Sequence, residues 1–304
     1  MLPLLLSPYS APMADLVAQP LPDFPVAPFR VFSGFLNVTG PVAGYDSLVI
    51  HYQFHESQNE PATDPVMAWH TGGPGGSSIY GQWAETGYFQ ISDSGATANP
   101  SAAWNRVANT LFLESPAGAF LTPLAQRSGF SYCLKAGVRQ RKCSWNDKTQ
   151  AEAYVLTLRA FFAAFPEHAA ADLYLVGESY AGQYIPNIAT ALLEASDMGS
   201  RLKGIAVGNG CWGGDANTVM CNGPNEDRNL MAMYHGKGLL SNAQYEKVQS
   251  ACAFPDLPFD SATPAPLSLK CQAELALADA AVGPHNVYKW RRRGSTPPPL
   301  LPCG

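Results

Sequence analysis

The residues best placed to do chemistry lie in Asp172-Leu-Tyr-Leu-Val-Gly-Glu-Ser-Tyr-Ala-Gly182, an apolar run that ends in a serine among small neighbours. Leu173 to Val176 reads as a buried strand. Tyr180 to Glu194 reads as a helix with its apolar face at Ile185, Ile188, Ala189 and Leu192. Ser179 therefore falls on a strand-to-helix corner, where the backbone is strained and Gly177, Ala181 and Gly182 supply the small side chains that a tight corner requires. The first free N–H groups of the helix lie beside the hydroxyl and are suited to hold an oxyanion. Taken alone, such a stretch also fits a plain strand-to-helix connection. A second stretch, Trp69-His-Thr-Gly-Gly-Pro-Gly-Gly-Ser-Ser78, follows the apolar run Pro65 to Ala68 and leaves its backbone N–H groups uncovered by side chains. It reads as a flexible turn, a phosphate loop or an oxyanion loop, and the absence of a Gly-Lys-Ser/Thr ending disfavours the phosphate loop.

A glycine-rich loop after one strand and a serine corner after a later one look like the two halves of an α/β-hydrolase oxyanion site. The chain resembles the serine carboxypeptidases, in that family's order, through Trp69–Ser78, Glu85-Thr-Gly-Tyr-Phe89, Asn99-Pro100 with Trp104-Asn105, Leu113-Glu-Ser-Pro-Ala-Gly118, Gly129-Phe-Ser-Tyr132, Gly177–Gly182 with Tyr184-Ile-Pro186, and Gly204–Asn209. The resemblance covers roughly residues 30 to 288. It implies acyl transfer: Ser179 attacks a peptide carbonyl, and the backbone N–H groups of Gly73 and Tyr180 hold the oxyanion. It also implies that Glu178 and Glu85 grip the free α-carboxylate of a peptide or protein C-terminus, with Thr71 standing where the family has an asparagine amide. Two adjacent carboxyls cannot both stay ionised cheaply, so one proton is shared and acidic pH is favoured. Outside the motif each glutamate would read as a solvated surface charge. No cofactor or metal is implied, and an oligomeric state is not indicated.

The chain departs from the family pattern in three places. Ala119 to Ser128 intervenes between Gly118 and Gly129, as a surface loop or as translated non-coding sequence. Downstream of Ser179 the only histidines are His235 and His285, and neither sits in the family's glycine-rich setting for the base. His51, His55, His70 and His168 precede the serine and are expected to be structural or exposed. The tail from Lys289 resembles nothing in the family. The expectation is a C-terminally truncated member without the triad Asp and His, with little turnover and an uncovered sheet edge. Two alternatives are a family acyltransferase and a non-catalytic relative that binds peptide C-termini.

These side chains must be positioned by a substantial fold, and 304 residues suffice for one large domain. The net charge of −5 gives no basic face for nucleic acid, the longest run of consecutive basic residues being Arg291-Arg-Arg293 in the tail. No apolar run is long enough to span a bilayer. Met1-Leu-Pro-Leu-Leu-Leu6 makes a poor signal peptide, reading instead as a disordered start, although the family is secreted, vacuolar or lysosomal. Residues 30–38 and 47–54 read as paired strands separated by Gly40-Pro-Val-Ala-Gly44. Residues 65–70, 110–113, 173–176 and 202–207 read as buried strands. Asp147 to Phe165 shows a helical stripe at Ala151, Val155, Leu158, Phe162 and Phe165. Strands alternating with helices imply an α/β class, a mostly parallel sheet flanked by helices, with 1–28 irregular, 29–288 the family domain, 211–285 a helical cap region and 289–304 an unrelated tail. Of seven cysteines, Cys133 with Cys143, Cys211 with Cys221 and Cys252 with Cys271 lie close in sequence without zinc-type spacing. In the oxidising compartment that the resemblance implies, these are expected to be local disulfides, with Cys303 left over. Asn37-Val-Thr39, within the first strand, matches a glycosylation acceptor.

Overall fold

The computed structural model of the chain describes residues 12–18, 20–92, 95–118, 129–140, 142–211, 225–254 and 267–283. Two compact units divide at Trp212 and Gly213. In the first, the strands in chain order are β1 (Val31–Val42), β2 (Tyr45–His55), β3 (Val66–His70), β4 (Phe89–Ser92), β5 (Gly95–Ala98), β6 (Asn109–Leu113), β7 (Tyr132–Lys135), β8 (Val138–Arg139), β9 (Leu173–Glu178) and β10 (Leu202–Gly208). The main sheet runs β10-β9-β3-β6-β2-β7-β8, with β1 paired to β2. Strands β10, β9, β3 and β6 are mutually parallel, whereas β2 is antiparallel to β1, β6 and β7. The sheet is thus mixed, with its parallel block under the two chemistry-bearing stretches. Hairpin β4–β5 stands apart.

The turn expected at 40–44 is tighter than its five residues suggest. Strand β1 continues to Val42 through an irregularity after Thr39, and Ala43 and Gly44, at φ 54° and 79°, make the two-residue turn that suits the twist of a hairpin.

Alternation along the strands sorts the core into two layers. Val66, Ala68, Leu111, Leu113, Leu173 and Leu175 face one side, under the helices α2 (Asp147–Ala164) and α3 (Ala181–Glu194). Trp69, Phe112 and Val176 face the other, with Ile79 of the one-turn helix α1 (Ser78–Gly81) against them. Helix α2 starts where Asn146 and Thr149 cap each other reciprocally, and every residue of its expected stripe is buried. Tyr154 and Phe161 widen that stripe, and Phe161, Phe165, Phe54 and Phe32 stack with centroids 4.8 to 6.3 Å apart. Residues 12–28 are irregular apart from one turn at Met13–Asp15, yet Phe24 packs against Trp83 and Phe89.

Strand β10 corrects one expectation. It borders the sheet, and Ile205 is 47% exposed where a buried strand was read. Among the described residues no strand pairs with its outer edge.

The second unit, Gly213–Gly304, shows three helices among its described residues: α4 (Glu226–Gly236), α5 (Asn242–Cys252) and α6 (Leu269–Val282). They share a small core of Met231, Tyr234, Leu240, Val248 and Ala278. Cys252–Cys271 ties α5 to α6 and Cys133–Cys143 ties β7 to the approach of α2. Cys211 is also disulfide-bonded, and Cys221 lies outside the described residues, as do Cys303, Arg291 to Arg293 and residues 119–128. The separation of ten between Cys133 and Cys143 makes a testable contribution to stability. The double variant Cys133→Ala/Cys143→Ala is expected to lose about 2.5 kcal/mol by loop-closure entropy, measured by urea unfolding.

Candidate active site

Ser179 follows the last residue of β9 and has φ +60°, a left-handed conformation that costs an L-residue about 1–2 kcal/mol. Three backbone bonds hold it there. Its N–H donates to the Gly208 carbonyl at 3.0 Å, and its own carbonyl accepts from Gly182 N–H at 2.9 Å and Cys211 N–H at 2.8 Å. Two glycines are obligatory for contact reasons. A Cβ on Gly177 would lie 2.3 Å from the His70 carbonyl oxygen, and one on Gly182 would lie 2.6 Å from that of Cys211. Helix α3 then starts with Tyr180 at its N-cap and no side chain capping it; the Gly182 and Gln183 N–H groups bond the Ser179 and Tyr180 carbonyls, and those of Tyr180 and Ala181 have no acceptor among the described residues.

The glycine loop leaves β3 at His70, which is in register with Gly177, so the loop and the corner emerge at the same end of adjacent strands. Gly72 touches the corner directly: a Cβ there would meet Tyr180 N at 2.4 Å and the Glu178 carbonyl at 2.7 Å. The sequence reading had singled out Gly73 and missed Gly72, because a run of glycines does not say which one faces backbone. Among the described residues no acceptor takes the N–H of Gly73 or of Tyr180. Two other loop N–H groups are occupied: Gly76 N–H donates to the Gly72 carbonyl at 3.0 Å and Gly75 N–H to the Tyr184 hydroxyl at 3.2 Å. Trp69 Nε1–H donates to Thr71 Oγ1 at 2.9 Å, which leaves the Thr71 hydroxyl hydrogen for another acceptor.

Beneath the loop, His70 bonds the Thr71 carbonyl through Nδ1 at 2.8 Å and the Gln150 amide through Nε2 at 3.0 Å. Burial pushes its pKa down to about 4, so the ring is neutral and serves as a support. From the far side Glu114, a buried residue, accepts from Ser77 Oγ–H at 2.9 Å and from the backbone N–H groups of Phe130 and Ser131. Sequence reasoning gave Glu114 no role; the signal was a carboxylate placed at the end of a fully apolar strand.

Glu85 sits on a π-helical turn, Gln82–Thr86, a rare geometry often found at functional positions. Its Oε2 is buried without a hydrogen-bond partner among the described residues, and the Glu178 carboxyl lies close enough to interact with it. Burial first, then the neighbouring Glu178 carboxyl, push the Glu85 pKa up to about 7. Because the folded value lies above the unfolded one, the contribution of Glu85 to stability is present below the ordinary carboxyl range and is lost as pH rises through about 7. The surface-charge reading of these two glutamates does not hold: both are half-buried and close together.

No histidine bonds the Ser179 hydroxyl among the described residues. His51, His55, His70 and His168 are all buried, the structural one of the two alternatives expected for them. His235, in the second unit, stacks on Tyr245 with centroids 4.3 Å apart and bonds Asn242 at 2.9 Å. His285 lies outside the described residues. Among those residues no cluster of His, Cys, Asp and Glu is fit to hold a metal, and no helix is long and apolar enough to cross a membrane.

A strained serine corner, a facing glycine loop and two neighbouring half-buried carboxyls form one constellation, and the profile of the family described as serine carboxypeptidase matches residues 20–296. The chain belongs to the serine carboxypeptidase family. It is 38% identical over 226 residues to the lysosomal protective protein of Mus musculus, covering 74% of this chain and 41% of that protein. It is 31% identical over 247 residues to a serine carboxypeptidase of Caenorhabditis elegans, covering 81% of this chain and 47% of the other. The chain spans about half the length of the curated relatives it matches. Among solved structures, the prohormone-processing carboxypeptidase Kex1(delta)p of Saccharomyces cerevisiae superposes with a TM-score of 0.54 at 20% identity, over 85% of this chain and 54% of that one. That likeness establishes a shared α/β-hydrolase-type fold. In this chain Ser179 lies at the strand-to-helix corner and Gly73 in the loop that follows β3.

Proposed function

We propose that this chain carries the nucleophile and the carboxylate clamp of a serine-type carboxypeptidase acting on peptide or protein C-termini. The observation that carries the reading is a serine held at positive φ, with the glycine loop packed against its corner and the half-buried Glu85 carboxyl close to that of Glu178. In this reading Ser179 Oγ attacks the last peptide carbonyl and its proton passes to a base that is not among the described residues. The Gly73 and Tyr180 N–H groups take the oxyanion. Collapse expels the C-terminal amino acid and leaves an ester on Ser179, which water hydrolyses. The protonated member of the carboxyl pair and the Thr71 hydroxyl donate to the substrate α-carboxylate, which stays ionised at pH 5. Intact disulfides and the lysosomal name of the mouse relative support placement in the secretory pathway, with a vacuole, lysosome or the exterior as destination. A peptide-binding relative without turnover is the second reading, favoured by the placement of His70 under the loop and of His235 against Tyr245 and Asn242, away from any bond to the Ser179 hydroxyl among the described residues.

The clamp is testable without turnover. Binding of a blocked dipeptide acid to the Ser179→Ala chain, followed by calorimetry, is expected to weaken at least about tenfold as pH rises from 5 through about 7 to 8, while the corresponding amide binds alike throughout. In Glu178→Gln the acid should lose most of that pH dependence. Equal binding of acid and amide at every pH would remove the assignment.

A further inference from the structure

Strand β1 presents Phe35, Asn37 and Thr39 to solvent and Leu36 and Val38 to the core. The acceptor triplet Asn37-Val38-Thr39 thus has both of its recognised side chains on the open face, and its central valine is the buried one. Neither Asn37 nor Thr39 has a side-chain hydrogen bond among the described residues. Beyond the bridge from Leu16 to Phe32, β1 pairs only with β2, so its other edge is unpaired among those residues. Two residues before the asparagine, about 7 Å along the same face, Phe35 is 48% exposed and leans on the His51 ring at 5.3 Å.

We propose that Asn37 is an N-glycosylation site and that Phe35 is the platform on which its first sugar rests. This rests on the placement in the secretory pathway. The transfer joins Asn37 Nδ2 to C1 of the first N-acetylglucosamine of a polyprenyl-diphosphate-linked oligosaccharide. The C1–O bond to phosphate breaks, the amide loses one proton, and the lipid diphosphate leaves. The extended backbone and the Thr39 hydroxyl, two residues on, are what the transferase reads. After folding, the polarised C–H face of the first sugar meets the electron-rich face of the Phe35 ring, one pleat away. The bulky, solvated chain also covers an edge that would otherwise template pairing with another strand.

The test is expression of the full chain behind a cleavable secretory leader in a eukaryotic host that makes high-mannose glycans. Peptide mapping after enzymatic deglycosylation should find Asn37 converted to aspartate, and Asn37→Gln and Thr39→Ala should each abolish the modification. Trimmed to one N-acetylglucosamine, the protein is expected to melt about 2 °C above Asn37→Gln. In the Phe35→Ala background the same glycan should give no gain, a cycle that a merely structural role for Phe35 would not produce. A bare Asn37 in secreted protein overturns the proposal; if Cys133–Cys143 has formed in that sample, the secretory reading survives the failure. An occupied Asn37 whose gain persists in Phe35→Ala overturns the platform.

Discussion

Replacement of Ser179 by alanine is expected to lower any peptide hydrolysis by this chain about four to six orders of magnitude, and to abolish labelling by a phosphonofluoridate at the Gly177–Gln183 peptide. The size follows from losing the nucleophile while the oxyanion N–H groups and the clamp remain, which leaves only binding and electrostatic assistance to water. Stability should barely move, because alanine must adopt the same φ of +60° that serine does. Glycine is the informative contrast. Ser179→Gly should be equally inactive yet more stable by about 1–2 kcal/mol, since the left-handed conformation no longer opposes a Cβ. Turnover surviving in either variant would show that the nucleophile lies elsewhere.

The second large effect concerns Gly177. An alanine there places Cβ 2.3 Å from the His70 carbonyl and 2.7 Å from the Ala181 methyl, so β9 must separate from β3 or the corner must shift. Neither neighbour is the flexible end of a long side chain, and the cost is expected at about 3 kcal/mol or more, toward the upper end for overpacked cores. Gly208→Ala is the control. The nearest atom to its Cβ is 3.9 Å away, and a change within about 0.5 kcal/mol is expected. Chemical denaturation of the two variants side by side checks the contrast; equal stabilities would mean that β9 and β3 yield at no cost.

Strands and helices with long, clean apolar patterns were legible in the sequence because burial wrote them there: α3 and the α2 stripe from Ala151 to Phe165 have the expected pattern and place, and β9 has the expected place, although Tyr174 within it is exposed. Hairpin β4–β5 and strands β7 and β8 were not read. Gly95-Ala-Thr-Ala98 has little β propensity of its own, and Val138 and Arg139 are exposed, so pairing holds them and not composition. At the site, Ser179 and the glycine loop could be read because the backbone demands small residues there. The closeness of Glu85 to Glu178 could not be read from the two positions alone, since it depends on a π-turn that redirects one carboxyl. Gly72 and Glu114 escaped notice because their partners lie far away in the chain, at Tyr180 for one and at Phe130 and Ser131 for the other.

Glu114 has one more consequence. By gripping Ser77 with one oxygen and the backbone at Phe130 and Ser131 with the other, it pins the point where the chain returns after Ser128, next to a strand end it occupies itself. Gly129 is seated at φ +61° against that same carboxyl group, where no side chain would fit. Any side chain at Gly129 would therefore displace the Glu114 carboxylate and, with it, the Ser77 end of the glycine loop that faces Ser179.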